Sequence, residues 1–376
     1  MERRETLTMT KLDQLADLGQ SLWLDYIHRD LMQSGKLQEL IDLGVRGMTS
    51  NPSIFDKAIA NSASYDEALA RLASQGKSVK EIYDALVIRD IQDACDLMRP
   101  VFDRTKGADG FVSLEVDPEL AHDTLGTLND VRRYSKAVDR PNLLIKIPGT
   151  KEGIPAIRQA IGEGIKVNVT LMFSVSQYEA VADAYMGGLE DLDRNGGALD
   201  QIASVASFFV SRVDTNVDQK LDAVGDRSIR GRIGIANAKM AYARFRETLG
   251  TERWQRLAQK GARSQRVLWA STSTKDPAYP DTMYVDELIG PDTVNTVPPE
   301  TLDDFMDHGT LARTVDQDLV RVEADLKKLA ELGIQLDQVT DELLTEGVVK
   351  FDKSYKNLIS SIKAKCEKLQ PDWQAG

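Results

Sequence analysis

Eight short apolar segments, separated almost everywhere by helical stretches, restrict this sequence more than any other feature. They run Ser21 to Asp25, Gly44 to Ser50, Phe111 to Pro118, Leu143 to Thr150, Val167 to Phe173, Ser204 to Val210, Val267 to Thr272 and Thr293 to Val297. Short aliphatic runs bounded by turn residues read as strands covered on both faces, the pattern of a parallel sheet. Helical periodicity fills the gaps: Asp13 to Gly19, Asp30 to Asp42, two or more helices over Tyr65 to Phe102, Leu120 to Val138, Gly153 to Gly162, Ser176 to Asp193 and Asp214 to Lys260. Only the last two strands are joined mostly by loop. Strand and helix in alternation require parallel pairing through crossovers, and eight such units favour a closed (β/α)8 TIM barrel over an open sheet. No Gly-x-Gly-x-x-Gly follows the first strand and no Walker A sequence occurs, so neither nucleotide-binding α/β alternative is supported. Patterns such as Leu319-Val320-Val322-Leu326-Leu329 place closing helices over 300–376. The expected division is a flexible tail over 1–10 and one barrel domain over 11–376, with Met9 as an alternative start.

The chain is long enough to bury such a barrel, with 376 residues of which 42% are hydrophobic and 28% charged. A net charge of −12 argues against broad binding to nucleic acid or anionic membrane. Any phosphate must then be gripped locally. Cys95 and Cys366 are far apart, and His28, His122 and His308 are scattered, so neither a disulfide framework nor a zinc site is expected. No apolar run approaches the length of a membrane span, and a cytoplasmic location is expected.

One residue breaks the apolar strand pattern. Lys146 interrupts Leu143-Leu144-Ile145-Lys146-Ile147-Pro148. An ammonium in such a strand costs free energy unless paired, and burial lowers a lysine pKa toward a nucleophilic, Schiff-base-forming state. The alternative is a strand-end lysine whose stem lies in the core and whose head reaches water. In a barrel of this class, function gathers at the C-terminal ends of the strands. That rule brings Asp25, Asn51, Glu115, Lys146, Asn168, Thr170, Ser207 and Ser271 onto one rim. One lysine, two carboxylates and several neutral hydrogen-bonding groups suit carbonyl chemistry on a polyhydroxylated substrate. Each has a plainer reading. Asp25 can cap the next helix, Asn51 can initiate its Asn-Pro turn, and Thr170 can be an ordinary β-branched strand residue.

Four segments, Thr49-Ser50-Asn51-Pro52-Ser53, Ser113-Leu114-Glu115-Val116-Asp117, Leu144-Ile145-Lys146-Ile147-Pro148 and Asn168-Val169-Thr170-Leu171-Met172-Phe173-Ser174, together resemble the transaldolase family in order and separation. The resemblance runs from about Leu12 to Leu369, and Trp269-Ala270-Ser271-Thr272 through Asp292-Thr293-Val294-Asn295 is similar to its longer bacterial subfamily. It implies that Lys146 forms a Schiff base with the C2 carbonyl of a ketose phosphate and that Asp25 takes the hydroxyl proton as the C3–C4 bond breaks. Glu115 would act through a water held with Thr170. Asn51 and Asn168 would hold hydroxyls of the three-carbon unit, with Ser207 nearby, and Arg212 and Ser271 would bind the phosphate.

The resemblance also implies sugar-phosphate substrates and no cofactor, and leaves the oligomeric state open, a homo-oligomer included. Two departures stand out. Shorter members carry arginine two residues after the serine that matches Ser271; here that position is Ser273, and Lys275 is the expected substitute. Shorter relatives that release free dihydroxyacetone from fructose 6-phosphate carry tyrosine where Phe209 stands. Such an aldolase, and a sugar-phosphate-binding barrel without catalysis, are the rival readings. Ser207 and Arg212 have opposite strand parity, so Arg212 must lie beyond the strand end to share the pocket, and by itself it reads as a surface ion-pair partner.

Overall fold

The structure is a computed structural model, which describes residues 9–373. The strands are β1 Gln20–Leu24, β2 Gly47–Met48, β3 Phe111–Glu115, β4 Leu143–Pro148, β5 Val167–Met172, β6 Ser204–Phe209, β7 Arg266–Ala270 and β8 Thr293–Val297. Each pairs in parallel with its neighbour in sequence, and β8 pairs with β1, so the sheet closes into the expected barrel. Among the described residues no helix is long and apolar enough to cross a membrane. The tail expected over 1–10 falls mostly outside the described residues; Thr10, within them, caps helix Lys11–Asp17 and donates a hydrogen bond to the Leu43 carbonyl.

Several boundaries differ from expectation, each for a local reason. The second strand is far shorter than Gly44 to Ser50. Gly44 has φ +112° and Val45 N bonds back to the Leu40 carbonyl, while beyond Met48 only Thr49 N still reaches the Leu24 carbonyl before Asn51 caps helix Pro52–Asn61. The stretch from Asp30 to Asp42 is two helices, Arg29–Gln33 and Lys36–Asp42, broken at Gly35, whose φ of +83° cannot continue a helix. Pro118 opens a 3-10 turn, which delays the helix expected from Leu120 to Thr124–Val138. The region from Asp214 to Lys260 resolves into Ser211–Val224, Ile233–Gly250 and Glu252–Gln259.

The barrel interior has an apolar lower half and a polar upper half. Trp23, Phe111, Leu144, Val205, Leu268 and Val294 fall in one buried cluster, while alternate residues such as Leu22, Val112, Ile145 and Val267 pack outward into the helices. Below this plug, Asp109 accepts hydrogen bonds from Ser21 and Trp23 and pairs with Arg266 at 2.9 Å. Gly47 is required by this filling: a Cβ there would lie 2.5 Å from the Trp23 indole.

β5 carries one residue more than β6 between Val169 and Met172. Leu171 takes the left-handed conformation, φ +57°, at this bulge. Its side chain meets Gly347 of the long helix Leu336–Leu369, where a Cβ would lie 2.9 Å away, while Thr170 stays buried at the cavity. That last helix crosses the C-terminal end of the barrel. Phe351 faces the central cavity, Ser354 hydrogen-bonds Ser53, Tyr355 accepts from Lys80 at 2.5 Å, and Lys365 binds Asp66.

Substituting Gly47→Ala should overpack the barrel floor. We expect a loss of about 1–3 kcal/mol and a fall of roughly 2–6 °C in the midpoint of thermal unfolding. An unchanged midpoint would show that the indole can move aside and that the floor is not tightly packed.

Candidate active site

Register places the polar residues of the upper barrel level with one another. Glu115 pairs with Lys146, Lys146 with Asn168, and Pro148 with Thr170, so these side chains share a face. That the face is the interior follows from contacts between strands that are not neighbours. Asn168 on β5 donates to Ser113 on β3 at 3.0 Å, and Lys146 Nζ on β4 donates to the Ser50 carbonyl after β2 at 3.0 Å. Lys146 is only 5% exposed. A lysine with its head in bulk water is thereby excluded.

Above this layer opens a cavity of about 940 Å³. Asp25, Asn51, Lys146, Thr170, Ser207, Phe209, Arg212, Ser271 and Lys275 line it. Glu115 and Asn168 lie deeper than the expected rim. Asn168 is engaged on both sides, accepting from Ser207 at 2.7 Å and donating to Ser113. Asn51 caps helix Pro52–Asn61 by accepting from Ile54 N at 3.1 Å, so the turn role and the cavity position coexist. Asp25 stands one residue beyond β1 and accepts from Thr49 Oγ1 at 2.6 Å, a hydroxyl that also contacts Thr296 Oγ1 at 2.7 Å.

The two carboxylates are tuned by burial. Glu115 is pushed up to about 7, chiefly because it is removed from water; the Lys146 charge opposes this and Asp25 adds to it. Asp25 is raised for the same first reason, against the pull of Lys146 and of the Thr49 hydrogen bond. Its partly exposed side chain lines the cavity. Glu115 Oε2 and Thr170 Oγ1 are both buried and lack a hydrogen-bond partner among the described residues. Two unpartnered polar atoms bracketing a lysine are arranged to hold a small polar species at its nitrogen.

Cations collect at the cavity mouth. Arg212 lies past β6, in helix Ser211–Val224, as parity required, with its guanidinium 5.2 Å from the Phe209 ring centre. Desolvation pulls its pKa down, with Glu346 opposing. Ser271 has φ +56°, a strained conformation for serine, and its hydroxyl meets Ser211 Oγ at 2.9 Å. Lys275 Nζ donates to Ser273 Oγ at 2.7 Å, so the serine in the arginine position and its expected substitute act as one unit. Among the described residues neither Arg212 nor Lys275 has a carboxylate within 4.0 Å, so the surface ion-pair reading of Arg212 fails. Thr49, Thr296 and Lys57 also line this cavity and were not singled out from the sequence. The strand-end rule could have found Thr49 and Thr296; for Lys57 the signal was its helical spacing from Asn51-Pro52-Ser53.

Between pH 4.5 and about 7 the folded protein holds the Glu115 proton while the unfolded chain, with its ordinary value of 4.5, has lost it. Glu115 therefore costs stability progressively as pH rises through that window, by on the order of 3 kcal/mol in all. Buried Asp214, also pushed up to about 7, adds in the same direction. Glu115→Gln should flatten the fall in unfolding free energy between pH 4.5 and 7 measured by denaturant titration. An unaltered slope would mean that Glu115 ionises as an ordinary glutamate.

Comparison with known proteins agrees with this geometry. The family model described as Transaldolase/Fructose-6-phosphate aldolase matches residues 22–362. A protein named Transaldolase from Trichodesmium erythraeum is 48% identical over 372 residues, 95% of this chain and 98% of its own length. Another of that name from Acidothermus cellulolyticus is 51% identical, covering 96% and 98%. A Transaldolase 2 from Nostoc sp. is 46% identical, covering 97% and 100%. The chain belongs to the transaldolase/fructose-6-phosphate aldolase family.

Proposed function

We propose that this chain is a cytoplasmic transaldolase that moves a dihydroxyacetone unit from sedoheptulose 7-phosphate to glyceraldehyde 3-phosphate, giving erythrose 4-phosphate and fructose 6-phosphate. The observation that carries this reading is Lys146, buried between two raised carboxylates at the bottom of a cavity whose mouth is cationic. Lys146 Nζ attacks the donor's C2 carbonyl, and the carbinolamine loses its oxygen as water to leave an iminium. Glu115, poised near neutrality, relays protons to and from that oxygen through a water held with Thr170. Asp25 then takes the C4 hydroxyl proton. The C3–C4 bond breaks, its electrons enter the iminium to form an enamine, and the shorter aldose phosphate departs. Addition of the enamine to the acceptor aldehyde, followed by hydrolysis of the imine, releases the product ketose. Asn51 holds hydroxyls of the three-carbon unit, while Asn168, fixed by Ser113 and Ser207, sets the polar floor beneath it. Arg212, Ser271 and Lys275 bind the phosphate.

Phe209 supports transfer over release of free dihydroxyacetone. Its ring packs on Phe173 at 5.1 Å and beneath Arg212, and a phenyl group has no hydroxyl with which to protonate the enamine.

Borohydride reduction with fructose 6-phosphate, read by mass spectrometry, should add the three-carbon unit at Lys146. Lys146→Met should abolish the adduct and lower turnover by at least roughly a thousandfold, in a protein that still folds because methionine fits the apolar strand. Turnover surviving in a folded Lys146→Met would favour the binding barrel.

Asp25→Asn should lower turnover by about 10²–10⁴-fold while imine trapping falls much less, because the amide keeps the shape but cannot accept the proton. If trapping and turnover decline together, Asp25 serves imine formation and not carbon–carbon cleavage.

A further inference from the structure

Besides Lys146 and Lys275, two lysines line this cavity, Lys36 and Lys57, and of these it is the charge of Lys57 that reaches Lys275. Helix Pro52–Asn61 starts at its Asn51 cap, and Ser53, Ile54 and Lys57 line the cavity at the three- and four-residue spacing of one helix face. This helix follows β2, whereas Arg212 follows β6 and Lys275 follows β7. In a closed barrel of eight strands, β2 and β6 stand on opposite sides. Lys57 thus reaches the mouth from the side facing Arg212.

We propose that Lys57 is a third phosphate-binding residue of this site, gripping the substrate's phosphate from the β2 side while Arg212 and Lys275 hold it from the β6 and β7 sides. The inference rests on the transaldolase reading of the site and adds a specificity residue to it. Its first support is that Lys57 and Lys275 both line the one cavity and lie close enough for their charges to repel. The second is that neither lysine, nor Arg212, has a carboxylate within 4.0 Å among the described residues. Asp25, Asp30, Glu300 and Asp303 also line the cavity, but among the described residues none lies within 4.0 Å of these three cations. Glu346 is engaged by Lys350 at 3.5 Å, and Glu300 faces Lys275 without reaching ion-pair distance. Like charges held together without an ion-pair partner cost free energy, and a phosphate of charge near −2 relieves that cost as it binds. The arrangement also accounts for Ser273. Where one arginine fork would grip two phosphate oxygens, two lysines supply point charges from different walls, and Ser273 orients one of them.

The test compares wild type, Lys57→Met and Lys57→Arg, using inorganic phosphate as the probe in calorimetry and fructose 6-phosphate in steady-state kinetics. Lys57→Met should weaken phosphate binding and raise KM by about fivefold to tenfold with a much smaller effect on kcat, and Lys57→Arg should recover most of both. The loss should shrink at high salt, since Lys57 is exposed. Unchanged phosphate affinity and KM in Lys57→Met would place the lysine in solvent and overturn the proposal. So would a loss that arginine fails to restore, which would mark a packing effect on the helix. Borohydride trapping of wild type with unphosphorylated dihydroxyacetone separates the underlying reading: an absent adduct removes the Schiff-base reading, while the calorimetry still reports on Lys57.

Discussion

A lysine ammonium enclosed by strands must be balanced by whatever else points inward at its level, and the rest of the upper barrel follows from that requirement. Lys146 donates to the Ser50 carbonyl and sits in the field of Asp25 and Glu115. Period-two alternation commits every second residue of each strand to the interior, so the register that levels Glu115, Lys146 and Asn168 decides which groups can compensate the charge. The lower half, filled by Trp23, Phe111 and Leu144, keeps water from the other end. Burial therefore acts twice: it raises both carboxylates toward the range useful for proton transfer, and it strengthens the attraction between them and the lysine.

The mouth obeys the opposite rule. Arg212, Lys275 and Lys57 line one cavity without a carboxylate within 4.0 Å among the described residues, on a chain whose net charge is −12. Ion pairs elsewhere are abundant, including Arg29 with Asp90 and Arg133 with Asp84 and Asp130, so unpaired cations at one place reflect placement and not a shortage of acids. The C-terminal helix joins the two regimes. Phe351 closes over the cavity, Gly347 seats against Leu171, and Lys80 ties Tyr355 and Asp117 together, so the cover of the site is anchored to the loops that carry its residues.

The barrel and much of its site were legible because their signals are local. Aliphatic runs alternating with helical periods specify parallel crossovers, and Lys146, Asp25, Glu115 and Thr170 stand at or near strand ends where the fold class concentrates function. What sequence order could not convey is depth and partnership. Glu115 and Asn168 were expected on the rim and lie beneath it: Asn168 is only the second residue of β5, and Glu115, though last in β3, points into the interior. The second strand, expected to span Gly44 to Ser50, is shorter because Val45 N turns back to the Leu40 carbonyl at one end and the helix capped by Asn51 takes over at the other.

By itself the sequence determined the strand count, the parallel topology, the lysine that interrupts the fourth strand and the absence of an arginine at Ser273, since each is written in residue type and period. Only the tertiary structure decided that Asn168 is held between Ser113 and Ser207, that Glu115 is raised to about 7, and that Lys57 joins Arg212 and Lys275. The physical reason is that desolvation and Coulomb interaction depend on distance through space, and barrel closure brings together residues from β2, β6 and β7 whose separation along the chain carries no trace of that proximity.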